Sequence, residues 1–347
     1  MAVKISCREL ADLMDSEGLF AVFDVRERGE YNHCQIAGTT SLPRSQIEFH
    51  VNRLLPNPGV PVILYDESEE RACFAAETLT ELGYQQVSIL RGGIAVWRAE
   101  GRPTVSGVNV PSKAFGEKVY HERSIPEISA DELIQLQRDH QALRILDVRT
   151  PEEYGRFCIP GAVNIPGGDL ILWLDELEES RTPVIVNCAG RTRSIIGTAA
   201  LRRLGLTNVR ALKNGTMGWV LSGFELEKNP RRGSSQAPEQ SRKRVVSRAL
   251  ALAAEESIAW TSPEELAAAL ANKTDGVIYA IDVRPEAEYK SGHIPGSINV
   301  PGGQAVQRAD DFVAVRNAQI IFISNDSVRA IMAAYWYCQM GYPYVFV

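Results

Sequence analysis

Short, almost wholly apolar runs recur along the chain and alternate with longer stretches in which apolar residues return every three or four positions. The runs Val62–Asp66 (VILYD), Val184–Cys188 (VIVNC) and Ile320–Ser324 (IIFIS) have the length and composition of strands buried on both faces. The stretch RSIIGTAALRRLG, beginning at Arg193, has the period of an amphipathic helix. Strands joined by helical crossovers predict an α/β protein built on mostly parallel sheets with helices on both faces.

The pattern is written three times. Asp-Val-Arg occurs at Asp24–Arg26, Asp147–Arg149 and Asp282–Arg284. Each copy is followed at fixed spacing by a tyrosine (Tyr31, Tyr154, Tyr289), a glycine (Gly38, Gly161, Gly296) and a proline (Pro43, Pro166, Pro301). Each is preceded by Ser-x-x-Glu-Leu, at Ser6–Leu10, Ser129–Leu133 and Ser262–Leu266, a capping-box signature that opens a helix. The three apolar runs each meet an arginine five residues on (Arg71, Arg193, Arg329), and a glycine placed to stop a helix follows twelve residues later (Gly83, Gly205, Gly341). Three tandem domains follow, at residues 1–102, 122–227 and 249–347. The junction 103–121 has mixed polarity and is expected to lie across a domain surface. The junction 228–248, polar and basic around Arg242–Arg244, is expected to be a solvated linker. The first two units close on Leu-x-x-Gly and a tryptophan (Trp97, Trp219) expected in the core. The third ends before that position and reads as C-terminally incomplete.

Composition narrows the function. A net charge of −6 gives no electrostatic case for nucleic acid or an anionic membrane as partner. No apolar run approaches the roughly 20 residues that cross a bilayer, and MAVKISCREL lacks an apolar signal core, which suggests a cytoplasmic protein. The six cysteines contain no CxxC pair, so neither a metal site nor a disulfide framework is expected, and no cofactor is called for.

Chemistry concentrates in Cys188-Ala189-Gly190-Arg191-Thr192-Arg193. The loop joins a strand's carboxyl end to a helix's amino end, where open α/β sheets bind ligands and free amides with the helix dipole favour an anion. Gly190 keeps the bowl free of a side chain, and Arg191 and Arg193 add positive charge. Cys188 is therefore expected to ionise below the usual value of about 8.5 and to act as a nucleophile.

With Ile-Pro-Gly-Ala-Val-Asn-Ile-Pro at 159–166, its counterpart at 293–301, Glu153-Tyr154 and this loop in place, the chain resembles tandem rhodanese domains, the sulfurtransferase family. The resemblance implies that Cys188 takes a sulfane sulfur from a small anionic donor such as thiosulfate and passes it, as a persulfide, to cyanide or a thiol. A protein persulfide is a further partner it implies. Loop amides from Ala189 to Thr192 would hold the persulfide and departing sulfite, with Arg191 and Arg193 on the donor's oxygens. Here glycine stands two after the cysteine and Arg191 three after, where the family commonly has glycine, which puts the donor preference in doubt; two loop arginines suit a dianionic donor such as thiosulfate better than 3-mercaptopyruvate. A non-enzymatic persulfide carrier, scaffold or redox sensor is the alternative. A cysteine phosphatase or arsenate reductase fits less well, because four residues rather than five separate Cys188 from Arg193.

In the other units the thiol is replaced by Asp66, among Glu67, Glu69 and Glu70, and by Ser324, and both are expected to be inactive. Asp147 is expected to support the loop by pairing with Arg193, and Arg149 to pair with Glu153 at or near the surface. Cys158 is expected to be a small buried side chain, Cys7, Cys34, Cys73 and Cys338 to be inert, and His121 to be an ordinary polar residue of the junction.

Overall fold

All three Ser-x-x-Glu-Leu segments form capping boxes. Ser6 and Ser129 accept from the amides of Glu9 and Glu132 while those glutamates reach back to the serine amides, and Ser262 and Glu265 do the same at 3.1 and 2.7 Å. The helix-stopping glycines Gly83, Gly205 and Gly341 all sit at positive φ, the left-handed conformation that ends a helix at least cost in glycine. The computed structural model describes residues 2–230, 232, 236–271 and 276–347.

The second unit carries the elements that matter for function. A junction helix α1 (Val110–Glu122) leads into strand β1 (Glu127–Ile128), then β2 (Arg144–Asp147), β3 (Val163–Asn164), β4 (Val184–Asn187), helix α2 (Thr192–Arg203), β5 (Val209–Leu212) and helix α3 (Gly215–Leu221). The sheet runs β3-β2-β4-β5-β1, all parallel, with Asn187 level with Asp147 across β4 and β2. The first unit repeats the order with strands 40–41, 20–24, 62–65, 87–90 and 3–5, and the third with 298–299, 278–282, 319–323 and 345–346. In the third unit Ala259 bridges Phe346 where the other units place a full strand.

Strand alternation decides how the units join. In β2 and β4, Ile145 and Ile185 point into a core private to the second unit, with Tyr154, Cys158, Leu212 and Trp219. Their neighbours Leu146 and Val186 point the other way, into a core shared with Phe23 and Leu64 of the first unit and Ile281 and Phe322 of the third. The three units therefore share one continuous apolar interior. Short polar ties fix the seams: Tyr279 donates to the Leu54 carbonyl at 2.6 Å, Arg28 pairs with Asp311 at 2.6 Å, and Val315–Arg316 adds an antiparallel strand to the first unit's sheet.

The second junction, of which residues 231 and 233–235 lie outside the described residues, is not a solvated linker over its second half. From Glu239 it becomes helix α4 (Glu239–Glu255), which buries Val245, Ala249, Leu252 and Ala253, a spacing that lines up one helical face. Arg244 and Arg248 anchor it to Glu179 and Glu178, both at 2.7 Å, so part of the basic charge is spent on ion pairs within the chain. Helix α5 (Val328–Gln339) of the third unit packs against it and buries Arg329 through Tyr337. Among the described residues no helix is long and apolar enough to cross a membrane.

One seam carries a titratable strain. Asp310, at the junction of the first and third units, has a buried oxygen without a hydrogen-bond partner among the described residues. Burial, and then the neighbouring Asp311, push its carboxyl up to about 6 against the opposing pull of Arg28 and Arg308. A carboxyl raised in the folded state stabilises below its unfolded value, and that contribution is lost as pH rises through about 6. Asp310→Asn is accordingly expected to raise stability at pH 7.5 by on the order of 2 kcal/mol and to change nothing at pH 4. Denaturant melts at the two pH values check this, and an equal shift at both contradicts it.

Candidate active site

Strand β4 ends in Asn187 and delivers Cys188 to the head of the loop, with α2 beginning at Thr192. Cys188 is 2% exposed, while the adjacent Ala189 faces solvent. Its sulfur lies 3.6 Å from the Ser194 hydroxyl, which itself donates to the Arg191 carbonyl at 2.8 Å. Helix α3 holds the loop from behind: the amides of Thr216 and Met217 donate to the carbonyls of Cys188 and Ala189 at 2.8 and 3.0 Å. That contact requires Gly215. Its φ is +53°, and a Cβ there would stand 2.3 Å from the Cys188 carbonyl oxygen.

Asp147 supports the loop by a different route from the one the sequence suggested. Its carboxylate is wholly buried and is gripped by Arg149, through Nε at 2.9 Å and Nη2 at 2.7 Å, rather than by Arg193. Asp147 ends β2 and the chain bends just beyond it, so that the Arg149 amide donates to the Asp147 carboxylate at 3.1 Å and its guanidinium folds back onto the same group; burial of both leaves no surface Arg149–Glu153 pair. Asp147 reaches the loop through Asn187, whose Nδ2 sits 3.2 Å from both Asp147 Oδ2 and Thr216 Oγ1. The loop arginine pairs instead with Glu153, at 2.7 and 2.8 Å. This pairing is the repeated one, since Arg71 meets Glu30 and Arg329 meets Glu288, each glutamate standing six residues after the Asp of its repeat. Burial would discharge Arg193, but its bonds to Glu153 and the charge of Cys188 outweigh that and raise its pKa.

Arg191 is also bound up. Its Nε donates to Glu117 at 2.7 Å, its Nη1 pairs with Glu127, and its guanidinium lies 4.3 Å over the Tyr120 ring. Helix α1 comes this close because Gly116 has no side chain, and a Cβ there would lie 2.9 Å from the Thr192 methyl. Sequence reasoning missed Asn187, Ser194, Glu117, Tyr120 and Glu127. It placed the junction on a domain surface without seeing which residues it would present. His121 is exposed at the end of α1 and contacts Tyr120, not the loop.

The other two loops show what such a loop holds. In the first unit Asp66 is itself the bound anion: its carboxylate accepts from the amides of Ser68, Glu69, Arg71 and Ala72, at 3.0 Å for Ser68 and 2.5 Å for Arg71. In the third, Asp326 takes the Arg329 amide at 3.1 Å, and Ser324 bonds to Asp326 and to the Ala330 amide. The counterparts of the Asp66 donors are the amides of Gly190, Arg191, Arg193 and Ser194, although the two loops differ at their third residue, with φ +98° at Glu69 and −127° at Arg191. Of the remaining cysteines, burial raises the thiol pKa of Cys7, Cys158 and Cys338, and none of these three stands at a loop of this kind.

The model of the rhodanese-like domain matches residues 6–100, 129–222 and 262–347. The chain belongs to the rhodanese family. It is similar over 99% of its length to a crystal structure of a thiosulfate sulfurtransferase from Pseudomonas aeruginosa, at 39% identity and TM-score 0.94, and spans 66% of that chain. Over 106 residues, 30% of this chain, it is 33% identical to the uncharacterized protein YibN of Escherichia coli (strain K12), covering 74% of that protein. Over 97 residues, 28% of this chain, it is 36% identical to a putative sulfur carrier protein, YrkF, of Bacillus subtilis (strain 168), covering 52% of it. In this rhodanese chain only the second copy sets a cysteine where the first copy holds a carboxylate in a ring of amides.

Proposed function

We propose that the second unit is a sulfurtransferase that carries sulfane sulfur on Cys188. The observation that supports this most is the first unit's Asp66, whose carboxylate occupies four loop amides at the position where the second unit has its thiol. A loop of this shape favours a charge at the head of a helix, and a cysteine there is suited to persulfide chemistry.

In the first half-reaction the Cys188 thiolate attacks the outer sulfur of a donor such as thiosulfate. The Sγ–S bond forms, the donor's S–S bond breaks, and sulfite leaves with the bonding electron pair. In the second, cyanide or a thiolate attacks the outer sulfur of the persulfide, and the Cys188 thiolate returns as leaving group. The amides of Gly190, Arg191, Arg193 and Ser194 are assigned to hold the persulfide's terminal sulfur, and Ala189 and Thr192 to border the donor. Asp147 and Asn187 position the loop, and the Ser194 hydroxyl, its own hydrogen on the Arg191 carbonyl, braces the loop beside the sulfur. The first and third units, whose cradles are filled by Asp66 and Asp326, pack and support the second.

The test is steady-state formation of thiocyanate from thiosulfate and cyanide by the full chain, with p-nitrophenyl phosphate as a comparison substrate. Thiocyanate release with no phosphatase turnover is expected. Failure to release thiocyanate from thiosulfate and from an organic thiosulfonate would remove the enzymatic reading. It would favour a persulfide carrier charged by another protein, a reading that the likeness to the putative sulfur carrier YrkF supports.

A further inference from the structure

The charges around the loop do not add up to an anion trap. Two guanidinium groups, Arg191 and Arg193, face three carboxylates, Glu117, Glu127 and Glu153, before the thiolate is counted. Arg193 keeps the partner that the repeat gives it in every unit. The excess negative charge comes from two residues outside the matched repeats, Glu117 on α1 and Glu127 on β1, while the neutral Tyr120 ring of α1 stacks on the same guanidinium. They close on Arg191 from three sides, and Gly116 lets the helix come near enough to do so. At the position of Arg191 the first unit has Glu69 and the third Ser327, so the arginine and its carboxylate clamp occur together in the one unit that carries the thiol.

We infer that Glu117, with Glu127, is a specificity-determining residue that disfavours dianionic sulfur donors relative to monoanionic or neutral ones. The preferred donor class is then an organic persulfide or thiosulfonate, with thiosulfate accepted at lower efficiency. This inference rests on the sulfur-transfer role proposed for Cys188. The physics is direct. A guanidinium neutralised by two carboxylates offers little attraction to an incoming anion, and the residual field of the carboxylates acts twice as strongly on a dianion as on a monoanion. The step itself is unchanged: thiosulfate releases sulfite and a thiosulfonate releases sulfinate, each leaving with the S–S electron pair as the Cys188 persulfide forms. Glu117 touches no reacting atom in this account. It acts through Arg191.

The experiment compares kcat/KM for thiosulfate and for benzenethiosulfonate, a monoanionic donor, with cyanide as acceptor. The variants are wild type, Glu117→Gln and the remote, exposed control Glu264→Gln, which removes the same charge. Glu117 is itself half exposed on its helix, and the glutamine keeps its size, so the fold is expected to persist. Glu117→Gln is expected to raise kcat/KM for thiosulfate about three- to tenfold, mainly through KM. The gain for benzenethiosulfonate should be clearly smaller, and 0.5 M salt should shrink the difference. Glu264→Gln should change neither value. An unchanged donor ratio in Glu117→Gln, or a fall in thiosulfate efficiency, overturns the inference while leaving sulfur transfer in place. Absence of turnover with both donors already in wild type overturns the sulfur-transfer reading and this inference with it.

Discussion

Cys188→Ser is expected to abolish turnover, lowering thiocyanate formation by at least about a thousandfold while the protein melts within a degree or two of wild type. The reason lies in the two atoms rather than in the site's shape. Serine occupies the same small buried space beside Ser194, and the third unit already carries serine at this position in a folded loop. A hydroxyl, however, is not ionised near neutral pH and does not accept a sulfane sulfur. A rate measured by thiocyanate production, alongside a thermal melt, separates chemistry from folding. A variant that retains a tenth of the activity would show that another group carries the sulfur.

Asp147→Ala is expected to have the largest effect on stability. Arg149 is 2% exposed, and its guanidinium is held by Asp147 and by the Phe157 carbonyl at 2.7 Å. Removing the carboxylate leaves a buried cation with one neutral acceptor, a change that typically costs 3–5 kcal/mol. It also frees Asn187, which ties the cysteine's neighbour to Thr216, so activity should fall together with stability. Asp147→Asn keeps the shape and one hydrogen-bond acceptor and is expected to lose less of both. Denaturant unfolding followed by intrinsic fluorescence, with turnover measured on the folded fraction, checks the pair. Because the three units share a core, the loss should appear as earlier unfolding of the whole chain rather than of one module. A separate early transition would contradict the continuity of that core.

Much of this was legible because the chain repeats itself. The threefold spacing of Asp-Val-Arg, tyrosine, glycine and proline marked out the strands and turns, and Ser-x-x-Glu-Leu marked the helix starts that the structure shows. The loop's position between β4 and α2 was readable from the switch in hydrophobic period. The ion pairs were misassigned although the signals were present. Each Asp-x-Arg puts a carboxylate that closes a strand within reach of the arginine two residues on, and a glutamate six residues after the Asp of each repeat (Glu30, Glu153, Glu288) marks the partner of each loop arginine. Other features had no local signal. Nothing in the polar composition of 228–248 reveals that Ser241 and Val245 will be buried between two units, because the surface that buries them exists only after the units pack. The grip of Glu117, Tyr120 and Glu127 on Arg191 depends on how α1 crosses α2, a tertiary fact that sequence periodicity does not contain.

The central claim is that one sulfur atom rests on Cys188 and on no other of the six cysteines. The most direct test is intact mass followed by peptide mapping of the full chain after brief treatment with a sulfane-sulfur donor, thiosulfate or benzenethiosulfonate. The account expects a single added sulfur on the peptide containing Cys188, removed by cyanide and absent from Cys188→Ser. Added sulfur on Cys158 or another cysteine, or none on correctly folded wild type with either donor, would contradict it.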